Sequence, residues 1–79
     1  MLYRTADDMM IEAGDAEEIV TVLRRSSWEK YEDNFTYMEH AARKAFETTG
    51  EPIRWGSASD FVTDLMKVGL LTEEKAPTP

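Results

Sequence analysis

The sequence predicts an all-α fold, a small three-helix bundle built on an antiparallel helical hairpin. Apolar residues recur at alternating steps of three and four along most of the chain, which is the spacing of one helical face. Serine- or aspartate-led capping patterns precede these stretches, and glycines follow them. A chain of 79 residues can bury one hydrophobic core, so a single helical domain is expected over residues 1–71.

The first helix is predicted over residues 2–25. Its apolar stripe consists of Leu2, Ala6, Met9, Ala13, Ala16, Val20 and Leu23. Gly14 interrupts this stripe, and Asp15 with Glu18 forms a capping pattern that can start a new helix directly after it. A continuous helix and a helix broken at Gly14 therefore both stay open.

An alternative fold class comes from residues that favour strands. Ile19, Val20, Thr21 and Val22 form a β-branched run, and Pro52 pushes the residue before it into an extended conformation. The alternative is an α+β fold with short strands near residues 18–24 and 52–55.

The second helix is predicted over residues 28–49, with Ser26 and Glu29 as its capping pair and Gly50 at its end. The residues of its buried seam are Trp28, Tyr31, Phe35, Met38, Ala42, Ala45 and Thr49. A link of only two serines to the first helix favours an antiparallel hairpin. Phe35, in the middle of the seam, is expected to be a core residue.

The third helix is predicted over residues 58–68, closing the open side of the hairpin. Ser57 caps its start, and Gly69 ends it in a turn that lays Leu70 back on the helix. The remaining residues 72–79 are acidic and contain prolines, so they are expected to form a disordered tail.

The residues that enzymes and metal sites need are scarce. The chain has no cysteine, and its one histidine, His40, falls on the face of the second helix that is farthest from the predicted seam. No Asp or Glu lies on an apolar stripe, and the four glycines are isolated rather than grouped in a phosphate-binding loop. We therefore expect no enzymatic activity, no metal and no cofactor.

The charge of the chain restricts its partners. Sixteen acidic and nine basic side chains give a formal net charge of −7, which repels nucleic acid and anionic lipid. A protein partner with a basic surface is expected instead. No apolar run reaches the roughly 18 residues that span a bilayer, and Asp7 and Asp8 stand where a secretory signal would be basic and then apolar. The sequence thus predicts a cytoplasmic protein.

These features predict a non-enzymatic protein-interaction module, a small regulator or inhibitor. The candidate partner-binding residues are acidic or aromatic: Asp7, Asp8, Glu12, Asp15, Glu17, Glu18, Tyr37 and Trp55. Because so short a chain has a thin core, a second copy is another possible partner. A helix-to-helix interface around Tyr37, Ala41 and Phe46 could form such a homodimer.

Two resemblances suggest alternative functions. The stretch from Ser57 to Leu71, with its ending Leu-Met-Lys-Val-Gly-Leu-Leu, resembles the recognition helix of winged helix-turn-helix proteins, which implies a DNA-binding regulator. Asp60 and Asp64 against Lys67 give this helix the wrong charge for DNA. In size and acidity the chain is similar to phage-borne inhibitors such as anti-CRISPR proteins, which implies that its acidic residues mimic nucleic acid.

Overall fold

The computed structural model describes residues 1–74 and shows an α+β fold, so the predicted all-α bundle is wrong. The elements are β1 (Leu2–Thr5), β2 (Met10–Glu12), α1 (Ala16–Ser26), α2 (Asn34–Thr49), α3 (Ala58–Lys67) and β3 (Leu71–Glu74). The α+β alternative had the right class but the wrong strands. Residues 18–24 lie inside α1, and residues 52–55 form no strand.

Residues 2–12 belong to a sheet, although their apolar residues have helical spacing. β1 lies in the centre and pairs antiparallel with β2 on one side and with β3 on the other. Tyr3, Ile11 and Leu71 point into the core, whereas Arg4 and Met10 are exposed on the opposite face. Strands of four and three residues show at most two repeats of the alternation, so a helical stripe fits the same letters by chance.

A tight turn over residues 6–9 joins β1 to β2. The Thr5 side-chain oxygen accepts from the Met9 N–H at 3.0 Å, and the Asp8 N–H donates to the Thr5 carbonyl at 3.0 Å. Asp8 has a positive φ of 67°, a conformation that Asp tolerates better than most residues. This hairpin occupies the space where the first half of the predicted helix would lie.

Helix α1 begins where the sequence allowed a break. The Asp15 carboxylate accepts from the Glu18 N–H at 2.9 Å, and the Glu18 carboxylate accepts from the Gly14 N–H at 3.1 Å. This reciprocal capping confirms the second of the two possibilities left open at Gly14. What precedes it is a β-hairpin, however, and no short helix.

Helix α2 begins at Asn34, so the first half of the predicted seam is wrong. The Asp33 side chain accepts from the Thr36 N–H at 2.7 Å and caps the helix in place of Ser26. The Thr36 N–H and hydroxyl hold the pKa of Asp33 below its usual range. Upstream of this cap, Trp28 is 99% exposed. The second half of the seam is confirmed, because Met38, Ala42 and Ala45 are buried.

Polar side chains on α1 fix where α2 starts. The Asn34 amide oxygen accepts from Arg24 Nε at 2.7 Å. Its amide nitrogen donates to the Thr21 hydroxyl at 3.0 Å and to the Glu17 carboxylate at 2.9 Å. Residues 17, 21 and 24 lie on one face of α1 at helical spacing. Asn34, the first residue of α2, is therefore hydrogen-bonded to three polar side chains on one face of α1.

Helix α3 has the predicted caps at both ends. The Ser57 hydroxyl accepts from the Asp60 N–H at 3.2 Å. Gly69 has a φ of 81°, and the N–H of Leu70 donates to the Leu65 carbonyl at 2.9 Å. This is the Schellman turn that the sequence predicted. The helix lies in the middle of the core, with Phe61 fully buried.

The predicted tail begins too early. Thr72, Glu73 and Glu74 belong to β3, which the buried Leu71 anchors to the core. Arg4 Nε lies 3.0 Å from the Glu74 carboxylate and ties the strand to β1 from the outer face. With only four residues, the alternation of buried and exposed positions in β3 is too short to predict a strand from the sequence. The segment becomes a strand because it pairs with the edge of β1. The rest of the predicted tail, residues 75–79, lies outside the described residues.

A buried carboxylate contradicts the expectation that every Asp and Glu is solvated. Asp64, on α3, is 6% exposed, and the extended connector between α2 and α3 supplies its partner. Arg54 donates to it through the backbone N–H at 2.9 Å, Nε at 3.0 Å and Nη2 at 2.9 Å. These bonds lower the pKa of Asp64 to about 2 from its ordinary value of 3.8.

Acid should therefore weaken the fold through Asp64. Because the folded pKa lies below the ordinary value, this stabilisation is complete above about pH 4 and is lost as the pH falls towards 2. We expect urea midpoints, measured by circular dichroism, to fall over this range in the wild type and to fall less in Asp64→Asn. Asp60→Asn is the control, since Asp60 is half-exposed and also faces Arg54. An equal decline in wild type and Asp64→Asn would contradict the assignment.

The fold depends on Phe61 rather than on Phe35, the residue that the sequence analysis placed in the core. Phe61→Ala should lower the free energy of unfolding by about 3 to 5 kcal/mol, because it empties a fully buried site. Phe35→Ala should cost about 1 kcal/mol, because the ring is 53% exposed and contacts Trp55 by its edge. Urea denaturation of both variants measures the difference. A larger loss at Phe35 than at Phe61 would restore the predicted seam.

Candidate protein-interaction surface

In residues 1–74, no group of three or more His, Asp and Glu side chains is placed to hold a metal ion. The helices in the same range are all too short or too polar to cross a bilayer. His40 is exposed, as the helical phase predicted, and its ring contacts only the edge of Tyr31 among the aromatic side chains described.

The structure does not bring the six predicted acidic residues together. Asp7 and Asp8 lie at the β1–β2 turn. Glu12 lies at the opposite end of the hairpin, where it lines a shallow cleft with Glu18. Glu17 faces Asn34 across the α1–α2 contact. All six side chains are exposed, but they fall into two groups, with Asp7 and Asp8 at the turn and the other four around the start of α1.

Most of these carboxylates also have local structural partners. Asp7 accepts a hydrogen bond from the Thr5 hydroxyl, which lowers the pKa of its carboxyl. Asp8 forms a loose ion pair with Arg4 at 3.6 Å. Asp15 and Glu18 cap α1, as described above. Their sequence positions are therefore explained by turn and helix formation.

A different surface stands out, formed by Phe35, Phe46 and Trp55 and called here the aromatic surface. Their exposed fractions are 53%, 52% and 37%. The rings of Phe35 and Trp55 meet edge to face, with centroids 5.2 Å apart. Phe46 and Trp55 line a common cavity of about 280 Å³. Trp55 thus contacts Phe35 and shares a cavity with Phe46, so the three rings lie on one side of the molecule.

Two elements hold the aromatic surface in place. Phe35 and Phe46 lie on one flank of α2, adjacent to the stripe that faces the core. Trp55 comes from the connector, where Ile53 is buried beside it in sequence and Arg54 is bonded to Asp64. The neighbours of Trp55 therefore fix its backbone. The surface is built on rigid structure rather than on a free loop.

The charged groups of this surface are weakly engaged. Glu39 lies on the same flank of α2 between the two phenylalanines, and its carboxylate is 3.8 Å from Arg43 Nη2. An exposed ion pair of this kind contributes little to stability, since water and salt screen it. The carboxylate is thus available to a cation that approaches across the rings.

The other flank of α2 borders an apolar groove, which separates this helix from the sheet. The groove has a volume of about 330 Å³. Its walls and floor are lined by Leu23, Tyr37, Ala41, Ala45, Phe61, Leu65, Leu70 and Leu71. Lys44 and Asp7 are the charged residues of its lining.

The predicted aromatic and helical interface residues fall on different sides. Trp55 and Phe46 belong to the aromatic surface, whereas Tyr37 and Ala41 line the groove. Tyr37 packs on Phe61 with centroids 6.3 Å apart, and its burial raises the pKa of its hydroxyl to about 12. The predicted interface of Tyr37, Ala41 and Phe46 is thus divided between the two flanks of α2.

Sequence reasoning missed Phe35 as a surface residue. Its spacing from Met38 and Ala42 placed it on the buried stripe of the helix, and the predicted helix start at the Ser26–Glu29 pair extended that stripe to Trp28. Asp33 was the available signal for the start of the helix, because aspartate is among the residues favoured at the N-cap. Starting the helix there removes Trp28 and Tyr31 from the seam.

Comparison with protein families, with curated proteins and with solved structures finds no match for this chain. Its function must therefore be argued from the geometry of these surfaces.

Proposed function

We propose that this chain is a non-enzymatic protein-interaction module that binds a basic protein surface through the aromatic surface. The observation that carries the proposal is the placement of Phe35, Phe46 and Trp55 together on one side, each more than a third exposed. The three rings are not part of the buried core, whose largest side chains are Phe61, Ile11 and other apolar residues.

Exposed aromatic rings in contact with one another favour binding. Single apolar side chains are common on protein surfaces, but contiguous apolar patches mark interaction sites. Aromatic residues also provide much of the binding energy at interfaces, since they bury a large area with few rotatable bonds. The cavity between Phe46 and Trp55 gives an incoming side chain a place to insert.

Charge favours a basic partner. The chain has a net charge of −7, which attracts a cationic surface over distances comparable to the Debye length. At closer range, an arginine or lysine can stack on the aromatic rings and pair with Glu39. The exposed acidic residues elsewhere then increase the association rate more than the affinity.

The two alternative functions have no specific observation in their favour. Residues 50–57 before α3 exceed the turn of three to four residues typical of the helix-turn-helix motif, and the net charge of −7 repels DNA. A nucleic-acid mimic needs a continuous row of carboxylates, and the six predicted ones are divided between the β1–β2 turn and the start of α1. The cytoplasmic location stays a prediction.

Selection of random peptides displayed on phage tests the proposal. Peptides retained by the wild-type chain but not by a Phe46→Ala variant should combine arginine or lysine with apolar residues. Their binding should weaken as salt increases, since part of the attraction is electrostatic. Selected peptides that are acidic or neutral would contradict the basic-partner proposal, as would peptides that bind both chains equally.

Substitutions at the aromatic surface should reduce binding of such a peptide. Phe46→Ala and Trp55→Ala should each raise its Kd about ten- to thirty-fold, the range expected for aromatic anchors. Calorimetric titration measures the change. Met10→Ala is the matched control, because Met10 is similarly exposed but lies on the outer face of the sheet. Equal losses in the control and the test variants would place the binding site elsewhere.

A further inference from the structure

Trp28 is the most exposed large apolar side chain described in residues 1–74. It is 99% exposed and lies in the loop between α1 and α2, over residues 27–33. An indole ring in water has the largest apolar area of any side chain to gain from burial. It lies outside the aromatic surface, so the function proposed above does not account for it.

The loop is held in a position that keeps Trp28 outward. Arg24 Nη1 donates to the carbonyl of Tyr31 at 3.2 Å, and Asp33 caps α2 immediately after the loop. The Tyr31 ring packs by its edge on Tyr37, with centroids 5.4 Å apart. Tyr37 is also a wall of the groove. Tyr31 therefore packs against the wall of the groove, while Trp28 of the same loop stays in solvent.

The groove has apolar surface without a covering element. Helix α2 packs on α1 and α3, and among the described elements it has no packing contact with the sheet. Small residues of α2, Ala41 and Ala45, leave the space that a large side chain could fill. A volume of about 330 Å³ falls within the range of pockets that hold small aromatic molecules, so it can accommodate an indole ring.

Charges beside Trp28 match charges beside the groove. Glu29 and Lys30 follow Trp28 directly, one of each sign. The groove lining likewise includes one of each sign, Lys44 and Asp7. A Trp28 side chain in the groove can therefore be accompanied by Glu29 near Lys44 and by Lys30 near Asp7. This local complementarity opposes the repulsion between two chains of net charge −7.

We propose that Trp28 of each copy docks in the groove of a second copy, forming a reciprocal two-fold dimer. The anchor and its receiving site are neighbours on the surface, because Lys44 lines both the groove and the small cavity that Glu29 and Tyr31 border. Two copies related by a two-fold axis near Lys44 can thus make both contacts at once, which closes the assembly at two.

This dimer is independent of the basic partner proposed above. The aromatic surface lies on the opposite flank of α2 from the groove, so it stays open when the groove is filled. A dimer would present two aromatic surfaces to a partner. Failure of the dimer leaves single-copy binding intact, and failure of partner binding leaves the dimer intact.

Sedimentation equilibrium of the full chain over a series of concentrations tests the proposal. The wild type should fit a monomer–dimer equilibrium, and Trp28→Ala should raise the dimer Kd at least ten-fold without loss of helical circular dichroism. Ala41→Glu, which places a charge in the groove, should have the same effect. Phe46→Ala is the control and should dimerise normally. Wild type that stays monomeric at millimolar concentration overturns the proposal, as does a Trp28→Ala chain that still dimerises.

Fluorescence of Trp28 in a Trp55→Phe chain separates the possible occupants of the groove. Emission should shift to the blue as dimer forms and should be that of an exposed indole in dilute monomer. A blue-shifted monomer would mean that Trp28 fills the groove of its own chain, and growth beyond dimers would mean an open, non-reciprocal assembly. Either result contradicts the two-fold exchange. Lys44→Glu should weaken the dimer, and adding Glu29→Lys should restore it.

Discussion

The pairing of β1 with β3 determines the rest of this architecture. It joins the two ends of the described chain, and β1 can receive β3 only because the N-terminal segment is extended. Tyr3, Ile11 and Leu71 then form an apolar layer that packs with α1 and α3. Since this layer closes the core from one side, α3 becomes the central helix, and among the described elements α2 packs on α1 and α3 alone.

The peripheral position of α2 explains why the chain has two apolar surfaces. Met38, Ala42 and Ala45 fill the narrow stripe that α2 shares with the core. The flanks on either side of the stripe remain apolar, with Phe35 and Phe46 on one and Ala41 on the groove side of the other. A domain of this size has too little volume to enclose both flanks. The two proposed interactions, with a basic partner and with a second copy, each use one of these flanks.

The Arg54–Asp64 pair connects the core to the aromatic surface. Asp64 lies on the buried side of α3, where the neighbouring positions are apolar. Its charge is tolerated because Arg54 donates hydrogen bonds to both carboxylate oxygens. Breaking one half of such a pair leaves a buried charge, so the connector cannot move away without cost. The fixed connector places Ile53 in the core and Trp55 against Phe35. A polar contact thereby sets the shape of an apolar surface.

The sequence by itself determined the local features: the caps at Asp15 and Ser57, the left-handed turns at Gly50 and Gly69, and the helical phase that buries Met38 and exposes His40. These depend on residues within a few positions of one another, and their signals are therefore readable in order along the chain. The same short range explains the error over residues 28–33, where two capping patterns competed and only the polar contacts of Asn34 with α1 selected the start of the helix.

Tertiary structure alone decided the sheet, the burial of Asp64 and the composition of both surfaces. β1 pairs with β2 in a local hairpin, but its other edge is completed by β3, nearly the whole described chain away, and no local sequence pattern indicates that partner. Asp64 is buried because Arg54 lies opposite it across a connector. Phe46 and Trp55 meet only because α2 and that connector pack side by side. Contacts between distant segments are set by packing of the whole chain, which periodicity and capping do not describe.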